Sequence, residues 1–358
     1  MGAVFGRKVT VSIFGESHGV GIGCVLSGLP AGIKIDLDYI NQQMQRRAPG
    51  KSQLATARHE ADEPEIISGV FNGHTTGAPL TMFIKNNTHH SKDYSILDSL
   101  VRPGHADYGA KIKYNGFSDY RGGGHFSGRL TAPLVFAGAI AKLVLQEKNI
   151  KIGAHIKSVG LISTKRTCLD NIGVLELLEI QKKPFPVLDN ECSLKMQDII
   201  MQAKQEGDSV GGTVECAIYN VPPGMGENFF DSLESQLSSM LFSIPAVKAL
   251  EFGLGFGITE LYGSQSNDQP YYDGDGNVAF RTNNNGGIVG GISNGAPIVF
   301  RVGIKPTPSI YKAQNTINIK TKENTNIAIE GRHDPCIVPR AVPVVEAVAA
   351  WVMLDNIL

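Results

Sequence analysis

The chain nearly repeats one of its own segments. GESHGVGIGCVLSGLPAG, from Gly15 to Gly32, aligns without a gap onto GDSVGGTVECAIYNVPPG, from Gly207 to Gly224. Gly15/Gly207, Ser17/Ser209, Gly19/Gly211, Cys24/Cys216, Pro30/Pro222 and Gly32/Gly224 coincide. Each copy reads as a glycine-bounded turn, a strand, a Pro-x-Gly turn and then a helix beginning near an aspartate. A second echo follows in the same order, TGAPLTMFIKN from Thr76 against NGAPIVFRVGIKP from Asn294. Two colinear echoes in 358 residues predict one large duplicated body, with units at roughly 8–150 and 200–358. His18 becomes Val210 in the second copy, so chemistry is expected in the first copy's loop.

Strands are expected at Lys8 to Gly15, Cys24 to Pro30, Pro79 to Lys85, Gly212 to Val221 and Ala296 to Lys305, all β-branched or alternating runs bounded by Gly or Pro. Helical spacing runs over Asp38 to Arg47, Thr131 to Asn149, Ser193 to Glu206, Asp231 to Phe242 and Val342 to Leu358. Strands and helices in blocks, without strict βαβ alternation, favour an α+β fold. Lys plus Arg number 33 against 34 Asp plus Glu, so no domain-wide basic field exists to hold nucleic acid. The five cysteines are odd in number and far apart, which argues against a disulfide framework and against zinc. No signal-like apolar core opens the chain, and the most apolar run, from Ala341, is broken by Pro343 and Glu346; the expectation is a cytoplasmic protein with no membrane partner.

The segment RPGHADYGAKIKYNGFSDYRGGGHFSGR, Arg102 to Arg129, has almost no aliphatic side chains to bury. Two histidines, three arginines and the triplet Gly122, Gly123, Gly124 predict a backbone that approaches an anionic ligand beside a proton-transfer group. Familiar nucleotide motifs fail here. PGKSQ lacks the opening glycine of a P-loop, and HGVGIG and GLGFG have G-x-G-x-G spacing without a βαβ context. His89 and His90 are adjacent, and HEAD at His59 lacks a second histidine at zincin spacing, so no metal is expected.

What remains is an ordered set of short polar motifs: GESHG, QRRAPG from Gln45, RPGHADY, DYRGGGHFSGRLTAP, IPAVKALEFG from Ile244, GGIVGGIS from Gly286, KPTPSI from Lys305 and GRHDPCIVPRAVP from Gly331. Together, and over essentially the whole chain, they resemble the chorismate synthases. The resemblance implies conversion of 5-enolpyruvylshikimate 3-phosphate to chorismate and phosphate, a 1,4-anti elimination that needs reduced FMN without net redox change. It also implies a β-α-β sandwich of two antiparallel sheets around a helical layer with internal pseudo-twofold symmetry, and a homotetramer. NADPH enters only indirectly, as a source of electrons for the flavin.

By the same resemblance His18 and His105 are the active-site histidines, one serving the departing phosphate and the other the reduced flavin ring. Asp334 is the carboxylate near the flavin, and Ser17 and Ser127 belong to a proton path. Flavin contacts fall on His125, Phe126, Ser127, Ala246, Gly290, Lys305, Pro306, Thr307, Ser309 and Arg332. Arg47, Arg58, Arg129 and Arg340 are expected to bind the substrate's carboxylates and phosphate, for which guanidinium forks are suited. The chain departs from the family pattern at His125 and Phe126, where relatives usually carry arginine and a small residue, at Pro245 in place of asparagine and at Gln53 in place of arginine. Two other readings use the same loops: a flavin or nicotinamide oxidoreductase, and a nucleotide- or RNA-binding module. The second is disfavoured by the charge balance and by missing aromatic stacking motifs.

Overall fold

Two five-stranded antiparallel sheets pack on a shared pair of apolar helices in the computed structural model, which describes residues 2–50, 54, 62–86, 96–170, 172–329, 331 and 333–358. The first sheet runs Val4–Phe5, Thr10–Gly15, Gly21–Ser27, Leu80–Lys85, Glu65–Ser68 in spatial order. The second runs Val247–Phe252, Ile298–Ile304, Gly212–Tyr219, Lys151–Val159, Ile162–Ser163. Every pairing is antiparallel, with Cys24 opposite Met82 and Cys216 opposite Phe300.

The helix Thr131–Glu147 lies on the first sheet and Val338–Ile357 on the second, and the two helices lie on each other. Both are apolar nearly all round, as a helix enclosed on every side must be. Gly138 lets them close: a Cβ there would stand within 2.3 Å of the Ala347 Cβ. The stretch Gly128–Glu147 is long and apolar enough to cross a membrane, but it is buried inside the protein. Helices Leu37–Arg47 and Leu233–Leu241 pack beside the pair, their first turns capped by Asp36 and Ser232.

One charged knot crosses this apolar layer. Glu346, fully buried, accepts from Arg46 Nη1 at 2.6 Å, Arg46 Nη2 at 2.8 Å, Lys142 Nζ at 2.7 Å and the Ala154 N–H at 3.2 Å. It therefore joins three helices and the strand Lys151–Val159 through one carboxylate. Burial alone would favour its neutral form, but the two cations hold its pKa below the ordinary value.

The five expected strands and five expected helices are all present, with shifted ends. The C-terminal helix starts at Val338, four residues before the expected start, because Pro339 sits in the first turn, where a missing N–H costs nothing. The strand expected at Cys24 begins at Gly21 and ends at Ser27, where Gly28 turns with φ +83°. The strand Lys151–Val159, inside the second sheet, was not expected from the sequence. Its Gly153 lowers strand propensity, yet a Cβ there would meet Leu177 Cγ at 2.6 Å, so packing dictates the glycine.

Candidate active site

His18 sits in the loop joining strands Thr10–Gly15 and Gly21–Ser27, and His105 in the loop before the short helix Asp107–Lys113. The turn Arg121–Phe126 meets both. Gly122, Gly123 and Gly124 have φ of 60°, 100° and 53°, three successive left-handed residues that only glycine accepts cheaply. A Cβ on Gly122 would lie 2.1 Å from His18 Cε1, and one on Gly123 would lie 3.1 Å from His105 Cε1 and Nε2. Adjacent glycines of one turn thus face the two imidazoles.

His18 is buried, and its Nδ1 is 3.1 Å from the buried Ser17 Oγ, while the Ser17 N–H donates to Gly124 O at 3.2 Å. Arg121 does not reach inward; its guanidinium grips Asp119 at 2.8 Å. Burial opposes ionisation of Asp119, but hydrogen bonds from Arg121 lower its pKa.

His105 belongs to a tighter construction. Arg102 clasps Asp107 through its backbone N–H at 2.9 Å, Nε at 2.8 Å and Nη2 at 2.7 Å, and the same carboxylate stands 2.6 Å from His105 Nδ1. Burial resists the charge on Asp107, but hydrogen bonds and charge from Arg102 and His105 hold its carboxyl well below the usual range. The segment 305–309 closes over this loop: Lys305 Nζ donates to Gly104 O and Arg102 Nη1 to Ser309 Oγ at 3.3 Å. His333 is half-buried, and burial together with the Arg102 charge lowers its pKa to about 4 against a partial opposing pull from Asp334.

The arginines form a chain. Arg340 Nη1 donates to Asp334 Oδ2 and its Nε to Arg47 O at 3.0 Å. Arg47 reaches Asp62, Thr131 Oγ1 at 3.1 Å and Gly128 O at 3.1 Å. Arg129 pairs with the other oxygen of Asp62 and approaches Asn86 Oδ1 at 3.3 Å. Asn86 then donates to the carbonyls of Glu16 at 2.9 Å and Gly19 at 3.0 Å, on either side of His18. Asp62 is buried, which penalises its charge, yet Arg47 and Arg129 lower its pKa. Ser127 Oγ accepts from the Arg129 N–H at 3.2 Å, so Ser127 joins the chain at its middle.

Of the expected residues, Ser17, His18, His105, Ser127, Arg47, Arg129, Asp334, Arg340, Lys305 and Ser309 are linked directly or through shared partners as above. Ala246 joins because its carbonyl accepts from Lys305 N at 3.0 Å, and Thr307 O accepts from Ser209 Oγ at 2.7 Å. Pro306 packs beside Gly211. His125 points outward with Nδ1 at 2.9 Å from Gly15 O, and Phe126 is 40% exposed beside Tyr114. Gly290 lies in the turn between Ile288–Val289 and Ile292–Ser293, apart from the bonds that tie the other residues together. Arg58, Arg332 and the departing Gln53 fall outside the described residues. Asp62, Asn86 and Asp107 are not among the residues singled out from the sequence, although Asp107 lies inside RPGHADY, Asp62 closes the HEAD segment weighed only as a metal motif, and Asn86 ends the echo TGAPLTMFIKN.

For flavin, the donor set fits. Among the described residues Thr307 Oγ1 is buried with no hydrogen-bond partner, and Gly290 has open space where a Cβ would stand, so a hydroxyl and a stretch of backbone are available to a ligand. Imidazoles set against a glycine backbone, with paired arginines linked to their loops, are groups of the kind an enzyme uses for proton transfer beside an anion. The family model described as chorismate synthase matches residues 9–358. The chain is 47% identical to a chorismate synthase of Pyrococcus abyssi over 99% of this chain and 97% of that protein. It is 46% identical to one of Lachnoclostridium phytofermentans over 100% and 95%. A solved structure titled "Crystal Structure of Chorismate Synthase" superposes with TM-score 0.74 at 31% identity, covering 98% of this chain and 92% of that one. The chain belongs to the chorismate synthase family of lyases, which serves the shikimate pathway of aromatic amino acid biosynthesis and requires a flavin.

Proposed function

We propose that this chain eliminates phosphate from 5-enolpyruvylshikimate 3-phosphate to give chorismate, with reduced FMN bound. The observation carrying this reading is the convergence of His18 and His105 on neighbouring glycines of one turn, with the arginine chain ending at the His18 loop. His18, poised by Ser17, donates a proton to the phosphate as its C–O bond breaks. Arg47, Arg129 and Arg340, with Arg58, hold the substrate's carboxylates and phosphate. Asp334, oriented by Arg340, assists departure of the ring proton, and Ser127 lies on the path between. Lys305, Thr307, Ser309, Ala246, Gly290 and Arg332 would hold the cofactor, with His105, His125 and Phe126 also among its contacts. When bound, reduced flavin supplies electron density transiently and recovers it, leaving no net redox change.

We further infer a homotetramer acting in the cytoplasm, without nucleic-acid or membrane partners, and NADPH used only to reduce the flavin. The duplication is part of the same reading. Its support is the matched order of Thr10–Gly15, Gly21–Ser27, Leu80–Lys85, Glu65–Ser68 in one sheet and Lys151–Val159, Gly212–Tyr219, Ile298–Ile304, Val247–Phe252 in the other. The test is anaerobic turnover with chemically reduced FMN. Phosphate release with flavin left reduced is expected, and one flavin oxidised per product would overturn the reading in favour of an oxidoreductase. A parallel reaction with oxidised FMN and NADPH reports whether the chain reduces its own flavin.

A further inference from the structure

We propose that Asp107 is the positioning residue for His105: it holds the proton on Nδ1 and so presents Nε2 as the working nitrogen toward Gly123 and the ligand space. Two groups compete for Nδ1. Asp107 Oδ1 lies at 2.6 Å as an ion-pair contact and can only accept, whereas Arg102 Nη2 lies at 3.1 Å in hydrogen-bonding geometry and can only donate. These demand opposite tautomers. Both partners are ionised, and the shorter contact decides: a bare Nδ1 lone pair 2.6 Å from a carboxylate oxygen would be strongly repelled, whereas a proton on Nδ1 turns that approach into a charge-assisted bond. The other edge of the ring faces the Gly123 backbone, where a Cβ would stand 3.1 Å from Nε2. The tautomer therefore determines whether Nε2 can accept a proton from that side.

Arg102 acts on the carboxylate as much as on the imidazole. With three bonds from Arg102, Asp107 is held in one rotamer and its charge is shared. The imidazole thus gains a fixed acceptor without a free anion beside it. Other charged groups around His105 are Lys111 on the following helix, Asp119 before the glycine turn and Lys305 across the loop. None of them has a bond to the ring among those described. This inference rests on the proposed role of His105 and deepens it.

The test compares Asp107→Asn, Asp107→Glu, His105→Ala and the double variant His105→Ala/Asp107→Asn as flavin-loaded enzymes. Asp107→Asn removes the obligate acceptor and is expected to lower kcat on the order of 100-fold. KM for the substrate and the FMN dissociation constant, read from flavin absorbance, should stay within about twofold. The pH profile of kcat/KM should change, since the carboxylate that fixes the Nδ1 proton is gone. Asp107→Glu should recover part of the rate. In the double variant the added loss should be under about threefold, because Asp107 acts through His105. A full-sized further loss, or an Asp107→Asn enzyme with wild-type rate and pH profile, overturns the proposal. If Asp107→Asn does not fold, a folded Asp107→Glu enzyme with unchanged rate and profile overturns it instead. A fully active His105→Ala enzyme would sink the role of His105 itself, a separate result.

Discussion

Gly122→Ala tests the site's geometry through a single methyl group. The new Cβ would stand 2.1 Å from His18 Cε1 and 2.3 Å from Nδ1, so the imidazole must retreat by more than about 1 Å to regain ordinary contact. That retreat breaks the 3.1 Å contact between Nδ1 and Ser17 Oγ. A misplacement of about 1 Å in a reacting group costs on the order of 100-fold in rate. The backbone adds strain, because Gly122 has φ 60° and an L-residue there costs roughly 1–2 kcal/mol. In a chain of 358 residues the unfolding entropy is about 0.75 kcal/mol/K, so the corresponding fall in Tm is only about 1–3 °C. Phosphate release under saturating reduced FMN, beside calorimetry, separates the two effects. Gly109→Ala is the control: it lies on the exposed helix Asp107–Lys113 with nothing near its Cβ position, so it should keep full activity. A Gly122→Ala enzyme with kcat within twofold of wild type would refute the packing of His18 against the turn.

Two stability predictions follow from buried carboxylates. Glu346→Ala leaves Lys142 and Arg46 without their shared anion inside the helical layer, and should cost about 3–5 kcal/mol in urea unfolding, a far larger loss than Gly122→Ala. Glu215 is fully buried against His155 Nε2 at 3.0 Å, Thr167 Oγ1 at 2.5 Å and the Cys168 N–H at 2.7 Å. Burial works against its charge, yet these partners bring its pKa to about 2, below the unfolded value. Its stabilisation is therefore complete above about pH 4.5 and is lost as pH falls toward 2, on the order of 3 kcal/mol in all. Calorimetric Tm against pH should steepen over that window and flatten in Glu215→Gln; identical slopes would contradict the assignment.

The helical layer was legible because its chemistry is local. Thr131 to Glu147 is apolar at every turn, which only an enclosed helix tolerates, and it opens with a proline in its first turn, where helices accept one. The strand at Lys151 was not legible, since its glycine and histidine answer to Leu177 and Glu215, 24 and 60 residues away. The site divides the same way. Gly122 to Gly124 beside two histidine motifs signalled close approach to a ligand, and the fold does set both imidazoles against that turn. Asp62 lies in HEAD, which reads only as a failed metal motif, because its meaning comes from Arg47 and Arg129, brought together by a helix and a cap distant in sequence. His125 sits in the most informative motif, yet its ring turns out to the surface.

Charge shows most clearly what the fold adds. A chain of net charge −1 gathers Arg47, Arg102, Arg121, Arg129 and Arg340 around two histidines, and every one of the five carries a carboxylate partner. Buried guanidinium groups without such partners would be prohibitively costly to fold. The described part of the site is thus not a reservoir of unpaired positive charge. Each carboxylate occupies only part of a guanidinium fork, which has five N–H donors, and fixes the direction of the rest. A polyanion entering such a site meets donors already oriented, so affinity and selectivity come from the match of directions more than from net attraction. The near-zero balance of the sequence and a cluster of paired arginines beside two histidines are therefore compatible: pairing lets the fold bury the cations and holds them in place.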